Sequence, residues 1–220
     1  TLARLIDEDG VSGLTSNPAI FQQAIGESDL YDDAIGLALA GDPGISVEEL
    51  YEELAVQDIQ MAADLLASVY AATDGRDGYV SLEVSPHLAR DTDASISDAR
   101  RLWRKVGRDN LMIKIPATTE GIPAIETLLS EGINVNVTLM FSLRHYENVA
   151  QAYLRALPRC PTAERLASVA SFFVSRVDSK TDARLSQLGD SEALDLAGKI
   201  AIANSKLTYV RYQELFCGPG

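Results

Sequence analysis

The chain has 220 residues, enough for one sizeable domain or two small ones, and its 46% hydrophobic and 23% charged residues are ordinary for a globular protein. Its 32 acidic and 19 basic side chains leave a formal net charge of −13, which argues against nucleic acid and anionic membrane as partners. Any phosphate group that binds must therefore meet a local arginine, lysine or helix N-terminus.

The cysteines and histidines indicate neither a disulfide framework nor a metal site. Cys160 and Cys217 fit no known framework or ligand spacing, and His87 and His145 stand far apart. We therefore expect free thiols in a reducing cytoplasm. No apolar run approaches the roughly 20 residues that a membrane span needs, and no signal peptide is expected before the domain.

Strand-like and helix-like segments alternate along the chain. The predicted strands are apolar runs bounded by turn residues, at 11–15, 79–85, 111–116, 134–140 and 168–174. The predicted helices are amphipathic runs, at 18–40 with an interruption at 26–29, then at 47–71, 92–106, 120–130, 142–157 and 191–216, the last as one helix or two joined. A capping box of Ser46 and Glu49 marks the start of the second helical segment.

This alternation predicts a parallel sheet with right-handed crossovers. A unit of about 30 residues fits either a (β/α) barrel or a doubly wound sheet. The chain has no GxGxxG and no GxxxxGK[ST] loop, which disfavours a dinucleotide-binding or P-loop protein. Because five strands are fewer than the eight of a closed barrel, the chain is expected to be a piece of a larger barrel or an open sheet.

Lys114 lies alone among apolar neighbours at the centre of the predicted strand 111–116. Burial penalises the ammonium form of such a side chain, and the neutral amine that burial favours attacks carbonyl groups to form a Schiff base. The alternative is a lysine that buries only its stem and places its charged end in water at the strand end. The strand alone leaves both interpretations open.

Further polar side chains lie on the neighbouring predicted strands. Ser81 and Glu83 share one face of their strand by a period of two, as do Asn134, Asn136 and Thr138 on theirs. Each group could instead face polar parts of a surrounding helix or a solvated strand end. Together with the buried lysine, however, they favour a common site, because buried polar groups need partners or a task.

Such a site could cleave a carbon–carbon bond without a metal. An iminium on Lys114 would accept the electron pair of the broken bond and so become an enamine, and Glu83 could hold a water for proton transfer. Arg176, just past the strand 168–174, could bind a phosphate at the strand end. Its alternative is a surface ion pair with Asp178 or Asp182.

Four segments of the chain resemble the transaldolase family and occur in that family's order. They are TSNPAIF at 15–21, IKIPAT at 113–118, GINVNVT at 132–138 and SFFVSRVD at 171–178. The similarity covers the chain from about residue 10 to 216, and the last segment is similar to the longer bacterial transaldolases. The resemblance implies an α/β fold, a parallel (β/α)8 barrel of class I aldolase type.

The resemblance also implies roles for individual residues. Lys114 matches the Schiff-base lysine, and Glu83 and Thr138 match the residues that hold the catalytic water. The positions that match substrate and phosphate contacts are Thr15, Asn17, Ser81, Asn136, Ser171 and Arg176. The implied reaction moves a dihydroxyacetone unit from sedoheptulose 7-phosphate or fructose 6-phosphate to an aldose phosphate, in the non-oxidative pentose phosphate pathway. It needs no cofactor and no metal, and the enzyme would be cytoplasmic, as a monomer or a homodimer.

The chain departs from the family pattern at both ends. We expect residues 1–220 to form a single barrel domain that carries about strands two to six. The family's acid/base aspartate on the first strand would then lie before residue 1, since Asp7 and Asp9 resemble helix-end residues. Sheet edges would be exposed on both sides, and the 220 residues alone are expected to show no turnover.

Two other functions remain open at this stage. One is an aldolase that uses the same Schiff-base chemistry on fructose 6-phosphate but releases free dihydroxyacetone. The other is an inactive barrel fragment that binds sugar phosphates or a partner chain. A downstream isomerase domain, which some relatives carry, remains compatible with the sequence.

Overall fold

Five parallel strands form one sheet in the computed structural model, which describes residues 1–218, so that positions 219 and 220 of the expected domain lie outside it. The strands are β1 Leu14–Thr15, β2 Val80–Glu83, β3 Leu111–Pro116, β4 Val135–Met140 and β5 Ser168–Phe172. Their order in space follows their order in sequence, and every neighbouring pair is parallel. A doubly wound sheet reverses its strand order, so the arrangement is that of a partial (β/α) barrel.

Helices connect the strands and follow the last one. They are α1 Leu2–Asp9, α2 Pro18–Gly26, α3 Asp32–Gly41, α4 Val47–Ala72, α5 Thr92–Val106, α6 Gly121–Ser130, α7 Leu143–Ala156, α8 Ser175–Leu188, α9 Ser191–Leu194 and α10 Ile200–Phe216. The capping box of Ser46 and Glu49 is present at the start of α4. The predicted segments 18–40 and 191–216 each contain two helices, and α1 and α8 were not predicted as elements.

Two predicted strands were too long at their carboxyl ends. The strand predicted at 79–85 ends at Glu83, because Pro86 begins a short 3₁₀ helix that turns the chain away from the sheet. The strand predicted at 168–174 ends at Phe172, because the chain then turns into α8. In both cases apolar residues continue past the carboxyl end of the strand, so hydrophobicity alone misplaced the two boundaries.

The two faces of the sheet differ in chemistry. One face is apolar and packs against α4, α5, α6 and α7 in the hydrophobic core; its side chains include Val80, Leu82, Ile113, Ile115, Val135 and Val137. The register pairs Ser81 with Met112, Glu83 with Lys114 and Lys114 with Asn136, which places the polar side chains together on the other face. The helices therefore cover the outside of the curved sheet, and the polar face lines its inside.

Gly121, the first residue of α6, lies against the end of the lysine strand. A Cβ atom there would lie 2.0 Å from the Pro116 carbonyl oxygen and 2.9 Å from Thr118 Oγ1. Gly121→Ala should therefore lower the free energy of unfolding by on the order of 3 kcal/mol, measured by urea unfolding. Gly36→Ala is the matched control, because Gly36 lies inside α3 with open space around it and should gain about 0.5 kcal/mol. Equal urea midpoints for the two variants would contradict this packing.

An ion-pair network joins α4 to α5. Glu52 accepts hydrogen bonds from the Arg101 guanidinium at 2.6 and 2.5 Å, and from Lys105 Nζ at 2.7 Å. The hydrogen bonds from Arg101, with a smaller contribution from Lys105, outweigh burial and lower the pKa of Glu52 from 4.5 to about 2. Since the folded-state pKa is depressed, the stabilisation is fully present above the ordinary carboxyl pKa and is lost as the pH falls toward about 2.

Glu52→Gln should therefore weaken the pH dependence of the free energy of unfolding in the acidic range. We expect the variant to lose about 1 kcal/mol of unfolding free energy near pH 7 and much less near pH 3, since the half-exposed Arg101 side chain is screened by water. Urea unfolding at a series of pH values measures the difference. Glu53→Gln, at the exposed neighbouring position, is the control, and the same pH slope in both variants would refute the assignment.

Candidate active site

Lys114 stands at the centre of the polar face. The lysine is only 7% exposed, and β3 places it in register between Glu83 of β2 and Asn136 of β4. Its Nζ lies 3.0 Å from Glu83 Oε2 and donates a hydrogen bond to the Ser16 carbonyl at 2.7 Å. The amine therefore points inward, and the interpretation of a lysine that reaches out to bulk water is wrong.

Glu83 is the last residue of β2, and its side chain is 16% exposed. It borders a cleft of about 400 Å³ that Tyr51 of α4 also lines. Burial raises the pKa of Tyr51, and the negative charge of Glu83 raises it further. The Glu83 carboxylate thus contacts the lysine amine and also lines this cleft beside α4.

A chain of side-chain hydrogen bonds crosses three strands next to the lysine. Asn136 Nδ2 donates to Ser81 Oγ at 3.0 Å, and Ser171 Oγ donates to Asn136 Oδ1 at 2.8 Å. Ser81 and Asn136 are buried, and Ser171 is partly buried on β5. These groups hold one another in fixed rotamers, which orients their remaining donors and acceptors on the inner face.

Thr138 follows Asn136 on β4 and is 4% exposed. The ladder between β4 and β5 shifts register between Val137 and Met140, and Leu139 within this bulge has a φ of 59°. Such a positive φ is strained for a leucine. The extra residue returns Met140 to the hydrophobic core while Thr138 stays two residues beyond Asn136, toward the carboxyl end of the strand.

Thr15 and Asn17 lie at the edge of the site. Thr15 is exposed on β1, in register with Ser81. Asn17 is the N-cap of α2, and its Oδ1 accepts a hydrogen bond from the Ile20 N–H at 3.0 Å. The side-chain oxygen of Asn17 is thus used by the helix, and its amide NH₂ group is the part available to a ligand.

Arg176 is exposed near the start of α8, with its guanidinium carbon 4.8 Å from the centre of the Phe173 ring. The alternative of an ion pair with Asp178 or Asp182 is not found among residues 1–218. Both carboxylates instead accept hydrogen bonds from backbone N–H groups at and just before the start of α10. Within the described residues the guanidinium therefore makes no hydrogen bond, and it rests on an aromatic ring at the carboxyl end of β5.

Two polar residues differ from the sequence-based interpretation. Asn134, expected to share the site with Asn136, donates to the Asp109 and Leu111 carbonyls and accepts from the Ala167 N–H, so it satisfies backbone groups away from the lysine. Ser16 was not predicted, although its carbonyl contacts the lysine amine. Its position next to the predicted first strand, within the segment TSNPAIF, gave no indication of that contact.

The described part of the chain holds no group of three or more His, Cys, Asp or Glu side chains that could bind a metal ion. Cys160 and Cys217 are both free thiols. Across residues 1–218, none of the helices combines the length and the apolar character required to cross a membrane.

A buried amine beside a carboxylate, on parallel strands that also carry a chain of amide and hydroxyl groups, suits covalent capture of a polyhydroxy ketone. The fold and this arrangement define part of a (β/α) barrel of class I aldolase type. The chain belongs to the family described as transaldolase/fructose-6-phosphate aldolase, whose model matches residues 1–216.

Curated relatives that are named transaldolase match nearly the whole of this chain. It is 53% identical to the transaldolase of Thermobifida fusca over 98% of its length, and 49% identical to that of Thiobacillus denitrificans over 99%. It is 47% identical to the transaldolase of Mycolicibacterium smegmatis over 98%. The chain spans 59%, 61% and 58% of these three relatives' own lengths.

Proposed function

We propose that the full-length protein carrying this sequence is a transaldolase, which transfers a dihydroxyacetone unit between sugar phosphates through a Schiff base on Lys114. The observation that carries this proposal is the inward amine of Lys114, 3.0 Å from the Glu83 carboxylate on the adjacent strand. The names of the relatives support it. The donor would be fructose 6-phosphate or sedoheptulose 7-phosphate, and the acceptor an aldose phosphate.

The first step joins the amine to the keto carbon of the donor. The nitrogen lone pair forms the C–N bond as the carbonyl π bond breaks, and two protons originally on the ammonium leave with the carbonyl oxygen as water. The product is an iminium with one N–H, and the charge is unchanged. Glu83, at hydrogen-bond distance from the nitrogen, is suited to move these protons.

The second step breaks the bond between C3 and C4 of the bound sugar. The bond's electron pair moves toward the iminium nitrogen and leaves an enamine, while the proton of the C4 hydroxyl passes to a base and the shorter aldehyde departs. We propose that a water held by Glu83 and Thr138 takes part in these proton transfers, since Thr138 is buried on the same inner face. The enamine carbon then attacks the acceptor aldehyde, and hydrolysis of the new iminium restores the lysine.

Substrate orientation would come from the neutral polar groups around the lysine. Ser81, Asn136 and Ser171 form a continuous chain that could bind the hydroxyls of the sugar, with Thr15 and the free amide of Asn17 beside them. The exposed guanidinium of Arg176 lies past the carboxyl end of β5, where barrel enzymes bind phosphate. A positive group there would also draw phosphorylated substrates to an otherwise acidic protein.

A second function uses the same residues. In an aldolase, a proton instead of an acceptor aldehyde would add to the enamine carbon. Hydrolysis of the resulting iminium would then release free dihydroxyacetone. The family description includes fructose-6-phosphate aldolase, which supports this alternative. The two activities differ only in which partner reaches the enamine first.

Product partition separates the two activities. The full-length protein would be given fructose 6-phosphate with and without erythrose 4-phosphate, the acceptor whose extension by three carbons is sedoheptulose 7-phosphate. A transaldolase should form sedoheptulose 7-phosphate and glyceraldehyde 3-phosphate only when the acceptor is present. Release of dihydroxyacetone at the same rate in both mixtures would favour the aldolase, and no product in either would oppose both.

A further inference from the structure

Ser16 makes three hydrogen bonds that link the end of the first strand to β2 and to the lysine. The residue lies between β1 and α2 and is 5% exposed. Its backbone N–H and its hydroxyl both donate to the Ser81 carbonyl, at 3.2 and 2.8 Å. Its own carbonyl accepts from Lys114 Nζ at 2.7 Å. One buried serine therefore fixes a backbone oxygen against the amine.

We propose that Ser16 is a positioning residue for Lys114: its hydroxyl anchors the backbone carbonyl that directs the amine toward the incoming keto carbon. This inference rests on the proposed function, since it assigns Ser16 a part in forming the Schiff base. The serine itself does not touch the sugar's reacting atoms. It acts through the hydrogen bond that its carbonyl makes with the nitrogen.

The geometry of a neutral amine explains why two acceptors matter. Such an amine has two N–H bonds and one lone pair in a tetrahedral arrangement. If the Ser16 carbonyl and Glu83 Oε2 each receive one N–H, the lone pair can point only in the one direction left, away from both acceptors. An amine with a fixed lone pair avoids the search over orientations that a free lysine would make.

The same two acceptors have different fates once the iminium forms. The neutral amine that attacks has two N–H bonds, and the iminium nitrogen that remains after water has been expelled keeps only one N–H. That single N–H can satisfy only one of the two acceptors. Held by its serine hydroxyl, the Ser16 carbonyl retains the N–H, which releases Glu83 to hold the water of the later proton transfers.

A purely structural role for the hydroxyl is the competing explanation, and the chain offers a matched control for it. Ser168 Oγ donates to the Val135 carbonyl at 3.0 Å, which is also a serine hydroxyl bonded to a neighbouring strand. No hydrogen bond joins Ser168 to Lys114 within the described residues. Ser16→Ala and Ser168→Ala thus each remove one interstrand hydrogen bond, and only the first affects the carbonyl at the amine.

The first measurement needs no sugar. Lysine side-chain NMR of the full-length protein, with ¹⁵N label, follows the exchange of the Lys114 Nζ protons with water. Ser16→Ala should speed this exchange by about tenfold, the equivalent of one lost hydrogen bond, and Ser168→Ala should leave it unchanged. Equal exchange rates in the two variants would overturn the positioning role, whatever the enzyme's activity.

The second measurement follows the covalent step itself. Borohydride trapping with fructose 6-phosphate should label Lys114 about tenfold more slowly in Ser16→Ala than in Ser168→Ala at equal thermal stability, and Ser16→Thr, which keeps the hydroxyl, should regain most of the rate. Trapping rates that track stability alone would contradict the proposal. If the unmodified protein gave no adduct while Ser16→Ala still changed proton exchange, the proposed function would fail and the contact between Ser16 and Lys114 would stand.

Discussion

Replacing Lys114 by alanine in the full-length protein is expected to lower the turnover of fructose 6-phosphate by roughly 10⁴-fold or more, because the proposed iminium forms on this amine. The described structure supports this loss with the burial of the amine and its contacts to Glu83 and the Ser16 carbonyl. A smaller loss would mean that the carbon–carbon bond is cleaved without covalent capture at this position. Steady-state kinetics with both substrates measure the change.

Lys105→Ala is the control for the loss of a lysine. Lys105 pairs with Glu52 on the outer helices, and its side chain is 39% exposed. This variant should keep turnover within about twofold of the unmodified protein, since surface pairs contribute little. Circular dichroism of both variants should show intact secondary structure, although Lys114→Ala leaves Glu83 without its partner and should melt at a lower temperature.

Glu83→Gln is expected to have the second largest effect, a fall in kcat of about 10²- to 10³-fold. Glutamine keeps the shape of the side chain but cannot accept a proton near neutral pH. The amine retains its hydrogen bond to the Ser16 carbonyl, so a Schiff base should still form, more slowly without the carboxylate, and be trapped by borohydride. The expected pattern is therefore an enzyme that captures the sugar but transfers protons slowly.

The comparison variant for this carboxylate is Glu53→Gln, which removes one acidic charge from the exposed face of α4. It should leave kcat within about twofold. Two results would contradict the role of Glu83: a kcat close to that of the unmodified protein, or complete loss of trapping together with loss of turnover. The second result would assign Glu83 to the formation of the Schiff base alone.

The fold was largely predictable because the alternation of short apolar runs and amphipathic runs is a local signal. All five strands and the long helix α4 with its capping box lie where the sequence predicted them, within a few residues. The choice between a barrel and a doubly wound sheet was not local, since it depends on which strands become neighbours. The sequential order of the sheet decides it. That the chain corresponds to strands two to six of eight stays a prediction.

The site was predictable to the extent that period two reports which side chains share a face. Glu83, Lys114 and Asn136 lie in register on adjacent strands, as that periodicity and the family resemblance indicated. Periodicity does not report distance along the strand, so Asn134 was grouped with Asn136 although it binds backbone groups elsewhere. The roles of these residues in catalysis stay proposals.

Two features of the site had no usable sequence signal. The Ser16 carbonyl is a backbone group, which every residue possesses, so only the path of the chain after β1 shows that it meets the amine. The bulge at Leu139 places a leucine at a positive φ, where glycine or asparagine would have been the expected marker. Tertiary packing of Met140 in the core overrides that local preference.

Capture of a sugar's keto group by one particular amine is the claim on which this account depends, and borohydride trapping tests it directly. The full-length protein would be incubated with fructose 6-phosphate, reduced, digested and analysed by mass spectrometry. We expect a stable adduct on the peptide containing Lys114 at some pH between about 6 and 9, and none in Lys114→Ala. Absence of the adduct across this whole range, or its location on a different lysine, would contradict the account.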